Sequence, residues 1–150
     1  MTRIQVLVAD GETLYRESIC AILGDQPDIK IAGRARSTKE LINKAHKRRP
    51  DVVVMELAMD KGNGEDTLRE MRNGNRDTKV LFVSQYEDEK HILSGLSSGC
   101  DGYIPKRATG SELISAIRVV HQGGYFLYPS VARVVIDECV KRFRELRETA

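Results

Sequence analysis

Pro50-Asp51-Val52-Val53-Val54-Met55-Glu56 is the stretch on which the fold turns. Four apolar residues follow one another without alternation, three of them β-branched, between a proline and a carboxylate. A strand exposed on one face would alternate polar and apolar residues, so this run predicts a strand covered on both faces, at the centre of a parallel sheet.

The pattern repeats outward from there. Ile4-Gln5-Val6-Leu7-Val8-Ala9 and Val80-Leu81-Phe82-Val83 read as further buried strands, residues 29–33 and 100–104 as shorter ones. Amphipathic stretches separate them. Over residues 13–23, Leu14, Ile19, Ile22 and Leu23 recur at near-helical spacing and Gly24 closes the run. Ser37 with Glu40 is a capping-box signature for a helix through Leu41, Ile42 and Ala45. Leu68 and Met71 mark a helix after the Gly-rich loop 61–64. Residues 88–98 form a weaker helix diluted by Gly95, and residues 111–121 a strong one on Leu113, Ile114, Ile117 and Val120. Five βα units in succession predict an α/β fold: a doubly wound parallel sheet with right-handed crossovers.

Beyond Gly123-Gly124, residues 129–147 predict an additional C-terminal helix with Val131, Val135, Cys139, Phe143 and Leu146 on one stripe. Such a stripe packs on its own domain, pairs with a second copy or begins a linker, and the first is the commonest use.

Composition narrows the function. The 150 residues carry 24 Lys and Arg against 22 Asp and Glu, a net charge of only +2, which is short of the clustered basic excess of a nucleic-acid-binding domain. The basic run Lys44, His46, Lys47, Arg48, Arg49 falls where a helix ends before Pro50, a position that suits cations. Cys20, Cys100 and Cys139 are odd in number and far apart, as expected of small apolar core residues in a reducing compartment. No apolar run approaches the length of a membrane span. A cytoplasmic protein is expected. His46, His91 and His121 have no metal-ligand spacing and read as surface residues.

Functional groups of a parallel sheet gather at the carboxyl ends of its strands. Asp10, Glu56, Ser84 and Lys106 each fall at or just past a predicted strand end. Two carboxylates, a hydroxyl and an ammonium on one rim suit a phosphoryl or divalent-metal site, because carboxylates hold Mg²⁺ and the other two groups bind phosphoryl oxygens. The same architecture also hosts flavin proteins. Against that alternative, the first β–α turn, Asp10-Gly11-Glu12-Thr13, is acidic, and the chain has no Trp and 5% aromatic residues.

Four motifs in order resemble the receiver domain of response regulators, over roughly residues 3 to 123. They are Val6-Leu7-Val8-Ala9-Asp10-Gly11 with Leu14 and Arg16; Asp51 through Asp60 with Gly62 to Gly64 and Leu68; Leu81-Phe82-Val83-Ser84 with Asp88; and Gly99-Cys100-Asp101-Gly102-Tyr103-Ile104-Pro105-Lys106. The NarL/LuxR-type subfamily fits best, including Glu112 through Ala116-Ile117 to Gly123 and then Pro129-Ser130-Val131-Ala132.

The resemblance implies a flavodoxin-like (βα)5 fold of strand order 2-1-3-4-5, with residues 1–124 as receiver and 125–150 as a C-terminal helix or linker. In the subfamily a helix-turn-helix DNA-binding domain follows at that point. The expected role is the regulatory part of a transcription regulator in a phosphorelay, not an enzyme. A stand-alone receiver regulated by dimerisation or ligand is the alternative. The implied partners are a sensor histidine kinase, a second copy and, only through the further domain, DNA; no membrane is implied.

Carried over by position, Ser84 and Tyr103 are the switch pair and Lys106 the conserved-type ammonium. Asp10 is one member of the acidic pair, and Asp10, Glu56 and Ala58 are the metal positions. Two residues depart from the family. Gly11 stands where it has its second acid, and Glu56 where it has the phospho-accepting aspartate. A weakened Mg²⁺ site and slow or absent phosphorylation are expected. Glu12, on the opposite side of the chain path if a helix starts there, is expected to stay outside the pocket. The helix at 88–98, the strand at 100–104 and the helix at 111–121, Arg118 included, are the expected dimer face.

Overall fold

A computed structural model describes residues 2–61, 64–74 and 77–149, so the tip of the Gly-rich loop at 62–63 lies outside the described residues. Six parallel strands form one sheet in the order β2-β1-β3-β4-β5-β6. They are β1 (Ile4–Ala9), β2 (Ile29–Ala35), β3 (Val52–Glu56), β4 (Lys79–Ser84), β5 (Gly102–Pro105) and β6 (Phe126–Leu127). Val52, Val53, Val54 and Met55 are all buried, as their unbroken apolar run requires.

The helices are α1 (Thr13–Gly24), α2 (Thr38–Arg48), α3 (Gly64–Arg72), α4 (Glu89–Ser97), α5 (Gly110–His121) and α6 (Pro129–Thr149). Two buried clusters sandwich the sheet. Ile19, Cys20 and Leu23 of α1 join Leu113, Ile114 and Ile117 of α5 on one side. Leu41, Leu68, Met71 and Ile92 of α2, α3 and α4 lie on the other, with Tyr103 and Val131.

Three expectations need correction. In α1, Leu14 is 79% exposed and Ile22 41%, so the helix buries Ile19, Cys20 and Leu23 instead. Leu14 sits roughly 140° around the helix from Ile19, which cannot place both on the core at 100° per residue. Ser37 caps α2 by accepting from the Glu40 N–H (3.2 Å), but the Glu40 carboxylate turns to Arg36 and Lys44, leaving the box half made. Cys20 and Cys100 are buried, whereas Cys139 is exposed.

The C-terminal region departs furthest. β6, too short to carry a period, pairs along the free edge of β5. Val131 is fully buried and Val134 packs against the same cluster, yet Ile136, Val140, Phe143 and Leu146 are exposed. Only the start of α6 packs on the domain. No described helix is long and apolar enough to cross a membrane.

Candidate functional site

The strand ends bring Asp10, Glu56 and Lys106 together. Asp10 follows β1, Glu56 ends β3 and Lys106 follows β5, whose backbone N–H donates to the Ser84 carbonyl (2.8 Å). The Lys106 Nζ lies 2.9 Å from Asp10 Oδ2 and 3.2 Å from Glu56 Oε1. It also lies 2.5 Å from Glu12 Oε1 and 4.6 Å from the centre of the Tyr15 ring.

Glu12 thus belongs to the pocket, contrary to expectation. The helix begins one residue later, at Thr13, and Glu12 is extended (φ −82°, ψ 108°). Its N–H donates to Asp10 Oδ1 (2.8 Å), a side-chain turn that folds the chain back so the carboxylate returns to Lys106. Tyr15 is a further pocket residue that the sequence does not signal, since a lone aromatic in the first turn of a helix says nothing of a cation.

Electrostatics follow from this crowding. Asp10 is 2% exposed. Burial, and then the neighbouring Asp10 charge, hold the Glu56 carboxyl above the usual carboxylate range, with Lys106 opposing. Burial alone would lower the Lys106 ammonium, but hydrogen bonds to Glu12 and Asp10 outweigh it and raise it. Lys106 is the cation that lets the three acids share one pocket.

A divalent cation has donors available. Carboxylate oxygens of Asp10, Glu12 and Glu56 lie within 4.8 Å of one another. Asp10 Oδ2 is buried and accepts no hydrogen bond, its cationic neighbour being the Lys106 ammonium at 2.9 Å. Hard oxygen donors of this kind fit Mg²⁺. Ala58, two residues past Glu56, is half-buried in the turn after β3. Asp60, in the same loop, has a left-handed backbone (φ 57°) and accepts from the Thr38 N–H (2.7 Å), serving α2.

Ser84 and Tyr103 converge on Tyr86. The Ser84 hydroxyl accepts from the Tyr86 N–H (3.0 Å), and the Tyr103 hydroxyl donates to the Tyr86 carbonyl (2.8 Å). Tyr103 is fully buried, and burial pushes its phenol up to about 12. Next in the loop, Glu87 accepts from Arg107 (2.6 and 2.8 Å) and from Ser130 Oγ at the start of α6 (3.2 Å). The loop after β4 therefore touches both the buried tyrosine and α6.

The expected dimer face is partly occupied within the chain. β6 covers the edge of β5, and the first turn of α6 lies beside α4. Arg118 is not a free contact residue: it bridges to Asp28 (2.9 Å) and Gln26 (3.1 Å).

A parallel α/β sheet with an acid-lysine pocket at its carboxyl rim, and a hydroxyl and aromatic on the adjoining strands, defines a receiver. Residues 6–118 match the response regulator receiver domain family, and the chain belongs to it. It is 32% identical over 136 residues to the transcriptional regulatory protein DegU of Brevibacillus brevis, covering 91% of this chain and 58% of DegU. Against the response regulator protein VraR of Staphylococcus epidermidis it is 32% identical over 145 residues, 97% of this chain and 69% of VraR. A LuxR-family response regulator from Aurantimonas shares the fold with a TM-score of 0.86 at 22% identity, covering 93% of this chain and 99% of the other.

Proposed function

We propose that this receiver regulates through a standing carboxylate at Glu56 in place of reversible aspartyl phosphorylation. The observation that carries this reading is the 3.2 Å contact between Glu56 Oε1 and Lys106 Nζ, inside a pocket that already contains two more acids. In the family the lysine meets the phosphorylated residue; here it is engaged by a side chain that is always present.

Glutamate sets its carboxylate farther out than aspartate by roughly 1.5 Å, one carbon–carbon bond. A displacement near 1 Å costs on the order of a hundredfold in an aligned transfer. Asp10, Glu12 and Glu56 are the groups that would hold Mg²⁺, which when bound neutralises phosphoryl oxygens. Lys106 competes for those same oxygens, so binding is weak. Ser84 and Tyr103 act as the switch pair, with Tyr103 held inward at Tyr86.

Residues 1–124 carry the receiver function, and 125–150 form an extension leading toward a DNA-binding domain of the LuxR type. The chain is a regulatory module, not an enzyme. A sensor kinase and DNA are partners of the longer protein, with the kinase contact weakened or lost. The test is incubation with Mg²⁺ and a small-molecule phosphodonor, read by intact mass. No gain is expected; a stoichiometric gain of one phosphoryl group refutes the standing-carboxylate reading.

A further inference from the structure

We propose that α6 pairs with the α6 of a second copy of this chain as a parallel two-stranded coiled coil, with Cys139 facing its counterpart across the seam.

The sequence of α6 sets the geometry. Ala132, Ile136, Cys139, Phe143 and Leu146 follow one another in alternating steps of four and three. That is a 3.5-residue repeat, the period of a helix–helix seam, and not the wider stripe of a helix lying on a domain. Ile136 and Phe143 take one core position, Cys139 and Leu146 the other. Ile136, β-branched at the first, and Leu146, a leucine at the second, match the preference for two parallel strands; Phe143 and Cys139 carry no such preference.

The fold leaves this seam open. Of the eight large apolar side chains well exposed among the described residues, four (Ile136, Val140, Phe143 and Leu146) lie on α6, with exposures of 60%, 42%, 62% and 69%. Val131 and Val134 hold the start of the helix on the domain. At 100° per residue the seam points about 130° away from those anchors, more than a third of a turn, so the receiver does not cover it.

A second copy is the occupant the repeat selects. A seam of this period needs a helix with the same period, and among the described residues α6 alone presents one unpaired. Four large side chains and Cys139 on each of two copies bury on the order of 1,000 Å² in total, the lower bound for a specific interface. In the parallel arrangement Val135 meets Val140 of the other copy and widens the seam. Farther along, Arg142 meets the other copy's Arg147; Arg142 is already bridged to Glu138 (2.8 Å). This flank makes association weak at low salt and tighter as salt screens the arginines.

Sedimentation of the whole chain between roughly 10 µM and 1 mM tests the pairing, since weak dimers populate in that range. The weight-average mass should move from one copy toward two, more so at high salt. Ile136→Asp and Phe143→Asp, at exposed positions that leave folding intact by circular dichroism, should abolish the shift. Lys141→Asp, on the outer face, should not. Mild oxidation should cross-link Cys139 in the dimer, and the Cys139→Ser/Leu146→Cys chain should cross-link as well, as parallel strands require. A single copy at every concentration and salt, a dimer that survives both aspartate variants, or a dimer without the 146 cross-link overturns the proposal. None of these readouts depends on phosphorylation or on Glu56.

Discussion

A Cβ added to Gly95 would lie 2.9 Å from Cε2 of Tyr103, so α4 meets the buried ring with no room for a side chain between them. This glycine dilutes the helix pattern in the sequence, and its physical use is to admit the ring. Gly95→Val should destabilise the chain by about 1–3 kcal/mol through overpacking, despite removing a glycine from a helix. Tyr103→Phe keeps the packing and loses the bond from its hydroxyl to the Tyr86 carbonyl, at about 1 kcal/mol. Urea unfolding distinguishes the two: a valine variant as stable as the parent would mean that the ring moves out at no cost.

Lys106 is 11% exposed among Asp10 and Glu56, which are 2% and 13% exposed. Lys106→Met leaves these acids without their cation. Removing one member of a buried charge group costs about 3 kcal/mol near neutral pH. The loss should shrink as the pH falls and the carboxylates take up protons, in a urea series at several pH values. A deficit that stays constant down through the carboxylate range would show that packing of the lysine stem, not charge, sets the effect.

The sequence could reveal the convergence of Asp10, Glu56 and Lys106, because each follows a strand whose apolar run is unambiguous and parallel strands share one functional rim. It could not reveal Glu12, whose direction depends on a single bond between its N–H and Asp10 Oδ1. Leu14 shows the same limit from the other side: apolar content suggested a core position that the helical angle denies. β6 escaped because a two-residue strand has no periodicity to read. The end of α6 was legible as a stripe, but burial of that stripe depended on where the helix leaves the domain, and from Cys139 onward every described residue is exposed.

Glu56 also predicts a signed pH dependence. Its carboxyl is raised in the folded chain by burial and by Asp10. Between the ordinary carboxylate value and the raised one, the folded chain therefore holds more protons than the unfolded chain, and stability falls as pH rises through that window. Glu87 and Glu112, half-buried and held low by Arg107 and by Thr109, act in the opposite direction across the acid range. The quantity to measure is therefore parent minus Glu56→Gln, in which they cancel. That difference should move against the parent as pH rises from acid toward neutral; a flat or opposite trend would mean Lys106 fully compensates the glutamate.

Thiol chemistry reports the position of α6. Cys20 and Cys100 are buried, and burial raises both thiols. Cys139 is exposed on the part of α6 that stands clear of the domain. A dilute native sample should titrate one thiol rapidly and the remaining two only after denaturation. Raising the concentration into the dimer range should slow the fast thiol. Three fast thiols would place Cys20 and Cys100 outside the core.

Restoring the family's residues should restore phosphorylation if the pocket is otherwise intact. A Cβ at Gly11 meets only the Arg36 carbonyl oxygen, at 3.8 Å, and the Gly11 backbone is not among the positive-φ glycines. An aspartate therefore fits there without strain and returns a carboxylate to the rim beside Asp10. Glu56→Asp draws the acceptor back by roughly one carbon–carbon bond, to the distance for which Lys106 and the metal donors suit a phosphoryl group. Each change answers a different deficit, metal affinity in one case and nucleophile position in the other, so neither alone should suffice. With Mg²⁺ and a small-molecule phosphodonor, Gly11→Asp/Glu56→Asp should gain one phosphoryl mass on the order of a hundredfold faster than either single variant. A folded double variant that remains unlabelled would place the defect elsewhere in the pocket, and Glu12, whose carboxylate already holds Lys106 at 2.5 Å, is the first residue to remove next.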